Sequence, residues 1–116
     1  MNTSKPISSY LESVKANKFA DPITVDFANG LWRSLHDAYP GLPEPDAAPG
    51  VDGQVGLAFD DGCNHLSFDV RPDGTAEAFY VNRSTMIMDD QEFTIGKDRI
   101  DGILPEKVRI FTGVQS

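Results

Sequence analysis

At 116 residues, with 40% hydrophobic and 9% aromatic content, the chain can bury a core of its own, which excludes an intrinsically disordered chain. Its formal charge of −8 is uneven: residues 40–96 carry eleven acids against Arg71 and Arg83, while 1–39 balance and 97–116 are net +1. Such a block repels nucleic acid and anionic membrane, so the natural complement is a basic protein, although solubility alone also accounts for it.

The single cysteine, Cys63, rules out an internal disulfide. No charged-then-apolar leader opens the chain, and no run approaches the roughly 20 apolar residues of a membrane helix. The expectation is one domain over 1–116, with 1–8 a loose lead-in and 113–116 a tail, in the cytoplasm of a bacterium or phage-infected cell.

In chain order, Ser9 and Glu12 have the spacing of a capping box, which predicts a short helix over 10–18. Asp21 and Pro22 form a second helix start. Ile23, Phe27, Leu31, Leu35 and Ala38 then recur at three- and four-residue steps up to Tyr39, and Pro40 and Gly41 stop the helix. Gly30 inside this stripe predicts close packing of helix on sheet. Trp32, at helical spacing, is read as core. From 40 to 53 the four prolines and three glycines predict a connector without helix or central strand.

Period-2 alternation predicts strands over 55–59, 65–70 and 75–81, joined by turns at 60–64 and 71–74. After a turn at Asn82-Arg83, residues 84–88 and 92–95 are read as two more strands around a turn at 89–91, and 107–111 as a last strand. The fold class is therefore α+β, with two N-terminal helices packed on one face of a four- or five-stranded antiparallel meander. Such a meander gathers Glu44, Asp46, Asp52, Asp73, Asp89, Asp90 and Glu92 at one end of the sheet against Arg71 alone. Either Phe79 or Tyr80 must point outward, which makes Tyr80 a further contact residue.

The segment Leu42-Pro43-Glu44-Pro45, Ala48-Pro49-Gly50-Val51-Asp52-Gly53 and Val55-Gly56-Leu57-Ala58-Phe59 resembles a family of small uncharacterised bacterial α+β proteins. Their pattern reads LPxPxxxPGPDGSIxLxW, followed by a strand and an ATFYG segment. Leu66 to Val70, Ala78-Phe79-Tyr80 and Ile100 to Leu104 fall where the pattern continues. Val51, Phe59 and Val81 depart from it, at the positions of a proline, a tryptophan and a glycine. The resemblance covers about residues 40–104 and implies a small α+β unit, with no catalytic residue or ligand to carry over.

Groups that could carry chemistry are few. His36, near the end of the second helix, suits a surface role. His65, Ser67 and Asp69 alternate on one strand, so successive members lie about 7 Å apart, beyond the ~2.6–3.2 Å reach of a nucleophile and its base. Cys63 and His65 lack the paired spacing of a zinc site. The sequence from Asp60 to Asn64 echoes a calcium loop, yet its twelfth position is Arg71, not glutamate. Cys63 sits among acids that disfavour its thiolate. No metal or cofactor is expected.

The functional expectation is a non-enzymatic acidic protein that inhibits or neutralises a basic partner, such as a nucleic-acid-binding toxin or nuclease, in the manner of an antitoxin, immunity or phage anti-defence protein. The alternatives are a small hydrolase or metal-assisted enzyme using His65, Asp69 and Cys63, and a structural subunit of a larger assembly marked by an exposed apolar patch.

Overall fold

The computed structural model describes residues 5–6, 22–49 and 53–112. Its sheet is antiparallel throughout and runs in sequence order: β1 (Lys5–Pro6), β2 (Asp46–Pro49), β3 (Val55–Asp60), β4 (Asn64–Val70), β5 (Thr75–Asn82) and β6 (Met88–Thr94). From β2 onward it is a meander. The expectation of four or five strands becomes six, the first only two residues long. One long helix, α1 (Pro22–Ala38), packs on one face, which gives an α+β architecture. The helix expected over 10–18 lies outside the described residues, so the pair of N-terminal helices is replaced among them by α1 alone.

The connector held a surprise. Asp46–Pro49 pairs with β3 along its whole length and with β1 on its other side. Prolines at 45 and 49 bracket it without interrupting it, and its buried residue is Ala47. A proline-rich segment is compatible with a short strand when the prolines fall at its ends.

Alternation decides which side chains enter the core. Val55, Leu57 and Phe59 of β3, Leu66, Phe68 and Val70 of β4, Ala76, Ala78 and Tyr80 of β5, and Phe93 of β6 are all buried on the inner face. Phe68 sits at the centre, its ring edge-on to Phe59 at 6.4 Å and to Phe93 at 6.2 Å. Aromatic pairs favour this geometry because the positive ring edge meets the negative ring face.

α1 covers this face with Thr24, Ala28, Leu31 and Leu35, and Tyr39 continues the stripe. The stripe is rotated from the expected one: Ile23 is 50% exposed and Ala38 is exposed. A 3.6-residue period drawn back from Leu35, Leu31 and Ala28 arrives at Thr24, one residue away from the more apolar Ile23. Trp32 packs 6.4 Å from Phe59 and is partly buried against the core. A Cβ added at Gly30 would meet nothing within 4 Å, so close helix–sheet packing is not the reason for that glycine.

Two corrections concern the C-terminal third. Residues 84–87 form a loop and not a strand, and residues 89–91 are not a turn, for Met88–Thr94 is one continuous strand. It is the edge of the sheet, and edge strands carry charged residues that a sequence reading mistakes for loop. The last strand expected over 107–111 is instead a short helix, α2 (Pro105–Arg109). Proline opens it, Glu106 lies in its first turn, Lys107 and Arg109 lie in its last, and Leu104, Val108 and Phe111 are buried at helical spacing.

The free edge of β6 follows from two hydrogen bonds. Asn82 N–H donates to Ile87 O at 2.8 Å, and Ile95 N–H donates to Gly74 O at 2.9 Å. Antiparallel alternation therefore turns the odd-numbered backbone groups of β6 towards β5 and the even-numbered ones outward. Of the outward amides, Thr94 N–H donates to Asp98 Oδ2 at 2.7 Å and Asp90 N–H to Asp89 Oδ1 at 3.0 Å.

Candidate functional site

The outer face of the sheet is built from the complementary set of strand residues. Three rows cross it. The first runs Asp60, His65, Val81, Met88; the second Asp46, Ala58, Ser67, Phe79, Asp90; the third Ala48, Gly56, Asp69, Glu77, Glu92. The described helices all contribute to the core on the inner side, and among the described residues no helix packs on this face. Small side chains at Ala48, Gly56, Ala58 and Ser67 make its middle shallow. Gly56 leaves room for the Asp69 carboxylate, whose Oδ1 lies 3.6 Å from where a Cβ would be.

Two arginines neutralise part of the charge. Arg71 donates to Glu92 at 2.6 Å and lies 3.4 Å from Glu77, and Arg83 donates to both oxygens of Asp60 at 3.0 and 2.6 Å. Asp46, Asp69 and Asp90 make no ion pair among the described residues. Their charge is therefore directed at solvent.

The end of the sheet that joins β3 to β4 and β5 to β6 is held by a dense polar network. Asp61 accepts from the amides of Cys63 and Asn64 and from the Asn64 side chain. Asn64 Oδ1 in turn accepts from the Tyr80 hydroxyl at 2.5 Å and from Asn82 Nδ2 at 3.2 Å. Asn82 Oδ1 then accepts from the amides of Ser84 and Thr85 at 2.9 and 3.0 Å. Hydrogen bonds from Arg83, and lesser ones from Gly62 N–H and His65, hold the Asp60 carboxyl well below the usual range. Those from Asn64 lower Asp61 likewise.

The expected acidic rim is dispersed by this topology. Asp46, Asp90 and Glu92 do reach the outer face, and Glu44 is exposed just before β2. Asp73 lies in the β4–β5 turn, away from Asp89 and Asp90, its carboxylate accepting from Thr75 N–H and Oγ1 at 3.0 and 2.6 Å. Asp89 has the register of the inner face and borders a shallow recess of about 290 Å³ with Gln91, Leu104, Pro105, Glu106 and Lys107. Asp52 lies outside the described residues. The cause is the straight course of β6: without a turn at 89–91, successive acids alternate between faces. Tyr80 is only 3% exposed, packed inward, with Lys107 Nζ 5.0 Å above its ring. Its neighbour Phe79 is the partly exposed aromatic of the outer face.

The groups considered for catalysis are placed as follows. His65 Nδ1 lies 2.9 Å from Asp60 Oδ2. Cys63 Sγ is 3.2 Å from Ser84 Oγ and 3.6 Å from Asn82 Oδ1. Asp69 is four residues beyond His65 on β4, about 13 Å along the strand. Among the described residues no three His, Cys, Asp or Glu side chains converge as a metal site would require. Among them, too, no helix is long and apolar enough to cross a membrane.

The sequence placed a turn at Asn82 and Arg83 but did not reveal their part in the polar network. The one available signal was asparagine followed by Arg83 and Ser84 after an alternating strand, a pattern of turn capping. No protein-family model, curated protein or solved structure matches the chain.

Proposed function

We propose that this is a non-enzymatic binding protein whose outer sheet face engages a basic protein and so inhibits or neutralises it, acting in the cytoplasm as an antitoxin, immunity or phage anti-defence protein would. The observation that carries this reading is the set of carboxylates of Asp46, Asp69 and Asp90, unpaired among the described residues, on a face that no described helix covers. Desolvating them against lysine or arginine rewards a basic partner and penalises an acidic one, including nucleic acid. Long-range attraction also accelerates the encounter, an effect that weakens as salt screens it.

The test is affinity capture from the native host with the wild-type chain and with Asp46→Asn/Asp69→Asn/Asp90→Asn. A basic protein should be retained by the wild type at low salt, and lost both at high salt and by the triple variant. Retention of no basic protein, or equal retention by the triple variant, sinks the reading.

A further inference from the structure

Met86 and Ile87 at the end of the β5–β6 connection, with Met88 opening β6, are three consecutive large apolar residues facing solvent. Met86 is 65%, Ile87 56% and Met88 62% exposed. Burial would be the ordinary fate of such side chains, and a run of three at one loop marks a contact surface. Met86 also has φ +60°, a left-handed conformation that glycine or asparagine adopts far more readily than methionine.

The loop is held in that shape. Met86 N–H donates to Asn82 O at 2.7 Å, Asn82 N–H to Ile87 O at 2.8 Å, and Asn82 Oδ1 takes the amides of Ser84 and Thr85. A chain so fastened loses little conformational freedom on binding, which favours affinity. The apolar surface is also continuous with the outer face. Met88 is the cross-strand partner of Val81, with Phe79 two residues further along β5.

Charge selects the occupant. Asp89 and Asp90 follow the tip directly and Asp61 lies at the same end of the sheet, where Arg83 is already paired with Asp60. A second copy docking through a two-fold axis would set this acidic surface against itself, in a chain of net charge −8. We infer that Met86, Ile87 and Met88 form the apolar anchor of the interface, inserted into a basic amphipathic surface of the partner in which apolar residues are bordered by lysine and arginine. This rests on the acidic-binder reading and adds to it the part that burial, not charge, would drive.

Two synthetic probes separate the parts: an amphipathic leucine–lysine helical peptide, and an oligolysine of equal charge. Binding is followed by the methyl resonances of Met86 and Met88 and the backbone amides of Asp46, Asp69 and Asp90. The amphipathic peptide should shift both sets, and oligolysine only the amides. Met86→Gly, which suits the left-handed position, should keep the fold and weaken the amphipathic peptide about tenfold, with Ile87→Ser adding to the loss. Methyls that stay still with the amphipathic peptide overturn the anchor. Amides that stay still with oligolysine count against the acidic-binder reading instead. Methyl shifts that depend on protein concentration without peptide name a second copy as the occupant and overturn the basic one.

Discussion

Arg71 Nη1 donates to Glu92 at 2.6 Å, across the strand from Glu77, which lies 3.4 Å from Nη2 of the same guanidinium. Glu77 and Glu92 are direct cross-strand partners, an arrangement that repels unless a cation intervenes. Arg71→Ala should lower stability by about 0.5–1 kcal/mol in urea titrations, with the deficit narrowing at high salt. It should also quicken association with oligolysine at low salt, because it uncovers negative charge. Equal stability of variant and wild type at every salt concentration would show the arginine to be idle.

Gly30 occupies a helix interior where an added Cβ meets nothing within 4 Å. Gly30→Ala should raise stability by up to about 1 kcal/mol through helix propensity alone. A lower urea midpoint would mean that the space seen beside Gly30 is filled in solution.

Gly74 is the opposite case. Its φ is +90°, and a Cβ there would lie 3.2 Å from Phe27 Cζ on α1. Gly74→Ala should cost about 1–3 kcal/mol, since backbone strain and displacement of the Phe27 ring add. A neutral substitution would contradict the seating of α1 on the β4–β5 turn.

Acid should unfold the protein in part through Asp60, Asp61 and Asp73. Their carboxyls are held below the ordinary aspartate value: Asp60 chiefly by Arg83, Asp61 by Asn64 and Asp73 by Thr75. Because the folded value is the lower one, their stabilisation is complete above about pH 4 and is lost as pH falls through the folded values. Stability measured from pH 6 down to 2 should therefore decline below about pH 4. Asp60→Asn should flatten that decline; an unchanged slope would remove Asp60 from the account.

Much of the fold was legible because β3, β4 and β5 alternate cleanly and α1 has a proline start and a Pro40-Gly41 stop. What escaped notice lay where neighbours override local pattern. Met88–Thr94 buries a single residue, Phe93, so an edge strand with solvent on one side left too little alternation to be read. Residues 107–111 alternate like a strand, and only Pro105 and the Leu104–Val108–Phe111 spacing reveal a helical turn. For the outer face, sequence supplied the acids but not their grouping, which depends on register. Because Met88–Thr94 runs straight where a turn was expected at 89–91, Asp89 and Asp90 fall on opposite faces, and both lie away from Asp73 in the β4–β5 turn. Exposure of Met86 and Ile87 was unreadable, since nothing local distinguishes a presented apolar side chain from a buried one.

The outward amides of β6 at Asp90 and Thr94 are already taken by carboxylates. A stray extended chain arriving at that margin meets negative oxygens at two of the donors it would need, so templated fibril growth is hindered there. Mutations that strip Asp89 and Asp98 would then reveal themselves first in seeding assays and in turbid, thioflavin-positive samples, well before any melting curve moved.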